Sequence, residues 1–211
     1  MTRTGWVILG LFVLVGMAVV SVMGGKGPAI RTASTAAARP VDSGGPAATA
    51  PTPAPAMIRR MAGANGLVVP VAGVAATQLA DSWGDPRGGG TRGHTGLDIM
   101  APRGTPVIAA AAGRIDKIFW SDAGGRTLYV RSPTGRLSYY YAHLDGYARG
   151  LREGTVVRAG QFLGTVGDSG NAGPGNTHLH FGMSLMAPGD GWSGGRAVNP
   201  HPLLAGARTA R

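Results

Sequence analysis

Arg92-Gly93-His94-Thr95-Gly96-Leu97-Asp98 is the stretch on which the reading of this chain turns, and Thr177-His178-Leu179-His180-Phe181 answers it much later. A His and an Asp four residues apart can share one face of a helix or of a strand. Two glycines around β-branched Thr95 disfavour the helix, so an extended run is expected. Side chains alternate along a strand, which puts His94, Gly96 and Asp98 on one face with open space above Gly96. The later stretch follows the same rule: His178 and His180 point one way, while Leu179 and Phe181 point the other, into a core. Two imidazoles and a carboxylate converging from separate strands form an N,N,O set suited to one Zn²⁺, with the fourth position left to water.

Each pair alone is weak evidence, since an isolated histidine is more often a surface or core residue. The weight comes from economy: four of the five histidines (His94, His143, His178, His180) sit in short segments of strand character. The absence of cysteine means that a zinc site here must use histidine and carboxylate.

Outward from these stretches the chain reads as short strands separated by glycine turns. Strands are expected over Gly66 to Val71 (broken by Pro70), Thr105 to Ile108, Arg114 to Trp120, Gly154 to Val157 and Gln161 to Val166. Thr127 to Arg131 and Leu137 to Leu144 read as a hairpin closed by Ser132-Pro-Thr-Gly135. Asp85 to Gly90 reads as a turn, and no helix longer than a turn or two is expected. Tyr139, Tyr141 and His143 alternate onto one face, which taken alone reads as a half-buried polar stripe; beside the other histidines, His143 reads as a site residue. The fold class is therefore all-β and antiparallel.

Four stretches carry a resemblance: His94-Thr-Gly-Leu-Asp98, Tyr141-Ala-His143-Leu144, Gly167-Asp-Ser-Gly-Asn-Ala172 and His178-Leu-His180-Phe181. In order and spacing, over residues 64 to 204, they resemble the lysostaphin/LytM-type zinc metallopeptidases that cut peptidoglycan peptides. The resemblance implies an antiparallel sheet core with a loop-walled groove, and a further short strand over Gln78 to Trp83. It also implies zinc ligands His94, Asp98 and His180, with His143 and His178 as the unligated pair that handles the proton and the developing charge. His178 is the expected base, and His143 the group that steadies the oxyanion or protonates the leaving amine; the roles could be exchanged. Gly182 departs from the family, many of whose members carry Glu there. His201, between two prolines, matches no ligand position and is expected in a surface loop.

Four segments are expected: a signal anchor over 1–26, an Ala/Pro-rich linker over 27–63, the peptidase domain over 64–206 and a tail over 207–211. Trp6 to Met23 is an uncharged run of the length of a short transmembrane helix, beyond the ~7–15 residues of a signal-peptide core. An uncleaved anchor is preferred to a cleaved signal. The positive-inside count, with Lys26, Arg31 and Arg39 after the run and Arg3 before it, points the other way. The site's substrate decides for an inner-membrane anchor with an extracytoplasmic domain. The Ala- and Pro-rich linker cannot bury enough apolar area to fold and serves as a disordered spacer.

The net charge of +10 is carried almost wholly by arginine and suits anionic wall or membrane. Nucleic acid is not expected as a partner, because the charges are scattered and no binding motif is present. A monomeric zinc endopeptidase acting on peptidoglycan stem peptides or cross-bridges is the expected function. The alternative is a non-catalytic regulator of wall amidases, whose relatives are degenerate at the five positions intact here.

Overall fold

Strand formation follows the apolar alternation wherever that alternation is clean. His178–Leu185 is the clearest case: Leu179, Phe181 and Met183 are almost wholly buried, while His180 and Ser184 on the opposite face are only partly so. Each such side chain contributes roughly 1.5–3 kcal/mol on burial. The computed structural model describes residues 54–62, 66–205 and 207, all within one compact unit spanning residues 48–211. Trp6–Met23 and most of the expected linker lie outside the described residues, as does most of the expected tail.

In chain order the elements are α1 (Pro55–Met61), β1 (Pro86–Arg87), β2 (Arg92–Gly93), β3 (Leu97–Met100), β4 (Pro106–Ile108), β5 (Gly113–Ser121), β6 (Gly125–Arg131), β7 (Leu137–Tyr147), β8 (Val156–Val157), β9 (Phe162–Val166), β10 (His178–Leu185), β11 (Arg196–Val198) and α2 (His201–Leu204). Single 3₁₀ turns occupy Ala76–Gln78 and Gly170–Ala172. Among the described residues no helix is long and apolar enough to cross a membrane. β1 and β2 form a separate hairpin, and the other nine strands form one antiparallel sheet with the path β11-β10-β7-β6-β5-β8. β3 pairs with β10, while β9 links β7 to β4.

β10 positions the site. Its first half pairs with β3, and from His180 onward it also pairs with β7. His180 lies opposite Asp98 on one side and Ala142 on the other. Directly opposed residues of an antiparallel pair share a face, so this register alone brings the two stretches together.

Four local expectations are corrected. Gln78 to Trp83 is not a strand: it leaves a 3₁₀ turn and runs on irregularly, and Gln78 caps that turn through Ala75 N (2.7 Å). Gly66 to Val71 makes only isolated bridges, because Pro70 has no N–H to donate and only its carbonyl accepts, from Ile108 N. The His94–Asp98 run is interrupted after β2 and resumes as β3, with a bend at Gly96. Asp85 to Gly90 is more than a turn, since Pro86 and Arg87 pair with Gly93 and Arg92 around a tip of three successive positive-φ glycines (58°, 67°, 86°). Part of the stretch expected as linker packs on the domain: Ile58 and Ala62 join the core, and α1 lies against α2.

Candidate active site

One short loop and three strands bring five side chains to one end of the groove. His94 follows β2, Asp98 lies in β3, His143 lies in β7, and His178 and His180 head β10. Asp98 is directly opposite His180, and Ser82 couples it to His94. Ser82 carbonyl oxygen accepts from His94 Nδ1 (2.7 Å), and Ser82 Oγ accepts from Asp98 N (3.0 Å). The carbonyl fixes the proton on Nδ1, leaving the lone pair of His94 Nε2 aimed inward.

Three ligand-type atoms converge there. His94 Nε2 is 2.9 Å from His180 Nδ1 and 3.1 Å from Asp98 Oδ1, and His180 Nδ1 is 3.0 Å from the same oxygen. A tetrahedral zinc with arms of about 2.0–2.1 Å has edges of about 3.3–3.4 Å between its ligand atoms. The triangle is a few tenths of an ångström tighter than that, and its N,N,O chemistry suits the ion. These residues could hold a metal ion. The carboxylate is ready for it. Burial works to raise the pKa of Asp98, but hydrogen bonding and charge from His180 and His94 hold it far below the ordinary carboxylate range. His180 is shifted down by burial, against the pull of Asp98. Arg87 Nη2 donates to the outer oxygen, Asp98 Oδ2, at 2.7 Å, so Oδ1 alone faces the two imidazoles.

His143 arrives by a different device. Strict alternation would send it inward with Tyr139 and Tyr141, which are wholly buried in the core rather than half-buried. His143 is the only non-glycine with positive φ (61°) among the described residues. Such a conformation is strained for a histidine and persists only where its surroundings impose it. Gly124 O accepts from His143 N (2.7 Å), Ser169 O accepts from His143 Nδ1 (2.8 Å), and the ladder is irregular on both sides of it. The kink turns the ring out of the core and onto His178, centroid to centroid 4.8 Å. Burial pushes the His143 pKa down to about 4, partly opposed by the Ser169 carbonyl. His178 Nδ1 donates to Asn176 O (2.9 Å), and its Nε2 lies 3.8 Å from Asp98 Oδ1. Both rings thus carry the proton on Nδ1 and present Nε2 to the cleft.

The cleft measures about 690 Å³, and Asn171, Ala172 and Asn176, from the loop before β10, line it. A larger hollow of about 1240 Å³ lies at the far ends of β6, β7 and β10, beside Asp116, Arg131 and Arg136. It contains no histidine, so volume does not locate the chemistry. His201 stands apart and is not in a loop. It opens α2, half-buried, with Nε2 3.2 Å from Leu79 O. Sequence reasoning missed Ser82, Ser169 and Asn176, which act mainly through main-chain carbonyls, and Arg87, whose neighbouring glycines suggested only a turn.

A sheet-borne His-Asp-His set beside a second imidazole pair is the kind of centre that metal-dependent hydrolases use. Residues 92–200 match the family model of Peptidase family M23, and the chain belongs to that family. It is 38% identical over 129 residues to the L-Ala–D-Glu endopeptidase of Bacillus subtilis, covering 58% of this chain and 38% of that protein. It is also 35% identical over 111 residues to the murein hydrolase activator EnvC of Escherichia coli (52% and 23%). The chain thus spans well under half the length of these relatives. Among solved structures, it superposes on LytM from Ruminococcus gnavus with TM-score 0.52 at 40% identity (63% of this chain, 55% of that one). The lysostaphin catalytic domain of Staphylococcus simulans gives TM-score 0.51 at 29% identity (61% and 94%).

Proposed function

We propose that this chain is a zinc-dependent endopeptidase that hydrolyses peptide bonds in peptidoglycan stem peptides or cross-bridges. The observation that carries this reading is the 2.9–3.1 Å triangle of His94 Nε2, Asp98 Oδ1 and His180 Nδ1, with two further imidazoles beside it whose Nδ1 atoms are tied to main-chain carbonyls. His94, Asp98 and His180 would hold one zinc ion. Bound there, zinc supplies Lewis-acid polarisation of the scissile carbonyl and makes a nearby water more acidic. His178, whose Nε2 is close to Asp98, takes the water proton. The proton that His178 takes from the water is the one the leaving amine gains. His143, whose own proton points from Nδ1 to Ser169 O, donates from Nε2 to the oxyanion or the leaving amine only after that proton has passed to it; proton handling of this kind contributes on the order of 10²–10⁴ in rate. Exchange of these two roles is compatible with the shared tautomer of the rings.

The activator-type relative favours a second reading, a non-catalytic regulator of wall amidases. Against it stands the retention of all five side chains and of the strained backbone at His143, which a pure binding surface does not need. We place residues 1–26 as a single-pass inner-membrane anchor and 27 to about 54 as a spacer, with the catalytic domain outside the cytoplasm as a monomer. The test is incubation of the purified protein with peptidoglycan, with and without chelator, and mass spectrometry of the new ends. Chelator-sensitive release of peptide termini supports the reading. Absence of new ends, together with stimulation of an added amidase, makes it a regulator.

A further inference from the structure

The β1–β2 hairpin carries a charge arrangement that folding does not explain. Arg87 and Arg92 stand directly opposite one another in its register. Side chains so placed share a face, and like charges there are mutually destabilising. Arg87 is answered by Asp98. Arg92 is exposed, and its side chain has no hydrogen-bond or ion-pair partner among the described residues. Both arginines line the active-site cleft, where Asp98 is the one acidic residue among the described lining. That carboxylate is already held by two imidazoles and Arg87. The cleft that holds the candidate metal ligands therefore also offers an unanswered guanidinium. A guanidinium binds a carboxylate through paired, charge-assisted hydrogen bonds.

We propose that Arg92, with Arg87 behind it, holds a free carboxylate of the substrate. The enzyme then prefers stem peptides with ionised carboxyls near the scissile bond to uncharged cross-bridges. This inference rests on the peptidase reading above and names its substrate class.

The experiment uses wall sacculi in two forms, untreated and with carboxyls converted to carboxamides by carbodiimide and ammonia. Two readouts are taken: the rate of new peptide ends, and co-sedimentation of chelator-treated protein with each form. Wild type should cut untreated sacculi about ten-fold faster or more, the worth of one charged hydrogen bond. Arg92→Gln should bring that ratio close to one, with zinc content unchanged. Arg152→Gln makes the same charge change at an exposed residue outside the cleft, and should keep the ratio. Metal-free protein should sediment in the same order. Equal rates of wild type on both forms overturn the inference and leave the peptidase reading intact. Equal erosion of the ratio by Arg152→Gln also overturns it, showing diffuse charge attraction. If zinc-loaded protein cuts neither form, the peptidase reading fails, and sedimentation alone then decides whether Arg92 binds carboxylates.

Discussion

Gly96→Ala adds a single methyl group where the structure has no room for it. The expectation of open space above this glycine is reversed: the His180 ring fills it. A Cβ at Gly96 would lie 2.6 Å from both His180 Cε1 and Nε2, and 2.9 Å from the Phe181 carbonyl oxygen. Carbon contacts relax at about 3.5–4.0 Å, so the ring must retreat by roughly 1 Å or the β3–β10 pair must open. Either movement carries His180 Nδ1 away from His94 Nε2 and Asp98 Oδ1. Metal sites tolerate only about 0.2 Å in ligand distance, and a 1 Å misplacement near the chemistry can lower a rate by about 10²-fold. Overpacking of this kind also destabilises by about 1–3 kcal/mol. The assay is zinc affinity by chelator competition, with wall hydrolysis and thermal unfolding on the same preparations. Gly93→Ala is the control, because its nearest contact would be an ordinary 3.6 Å. Zinc affinity and activity should fall by about 10²-fold in Gly96→Ala and stay within about three-fold in the control. Wild-type zinc affinity in folded Gly96→Ala would refute the packing argument.

Three further outcomes are expected. Ser169 Oγ donates to Leu144 O (2.7 Å) and accepts from Arg126 N (3.0 Å), holding the carbonyl that fixes His143. Ser169→Ala should therefore lower kcat about ten-fold with zinc content intact, as supporting contacts do, and an unchanged kcat would show that His143 is held without it. In metal-free protein His143 stays neutral down to about pH 4, whereas the unfolded chain protonates near 6.5. The unfolded state then binds more protons across that window, so stability falls as pH drops from 6.5 to 4. Buried His180 acts in the same sense, and the Asp98 contribution is lost only below its ordinary range. Thermal midpoints of metal-free wild type and His143→Gln, compared from pH 7 to 4.5, check this; equal slopes would contradict it. For the proposed placement, protease added to spheroplasts should remove the catalytic domain and leave a short membrane-bound stub, whereas complete protection would reverse the topology.

What the sequence made legible was whatever follows from strict alternation. Leu179 and Phe181 go inward and His180 outward because β10 is regular, and the Ser132–Gly135 turn closes β6 on β7. The four histidines and the aspartate that meet in the cleft could be named because their side chains themselves mark the site. His143 shows where the method stops: a period of two assigns it to the core face, and only a kink imposed by Gly124 and Ser169 turns it out. Ser82, Ser169 and Asn176 act largely through carbonyl oxygens, which any residue could supply, so their types carry no mark of the task. Ile58 was lost in a segment whose composition is otherwise that of a linker, because one buried side chain changes no average.

The central claim is that three of the five side chains hold zinc while two handle protons. Zinc stoichiometry and wall-hydrolysis rate, measured together on His94→Ala, Asp98→Ala, His180→Ala, His143→Ala and His178→Ala, test it most directly. The first three should lose metal and activity together. The last two should keep the metal and lose activity by about 10²-fold or more. If His143→Ala or His178→Ala is folded but metal-free, the zinc site is a closed structural one and the catalytic account is wrong.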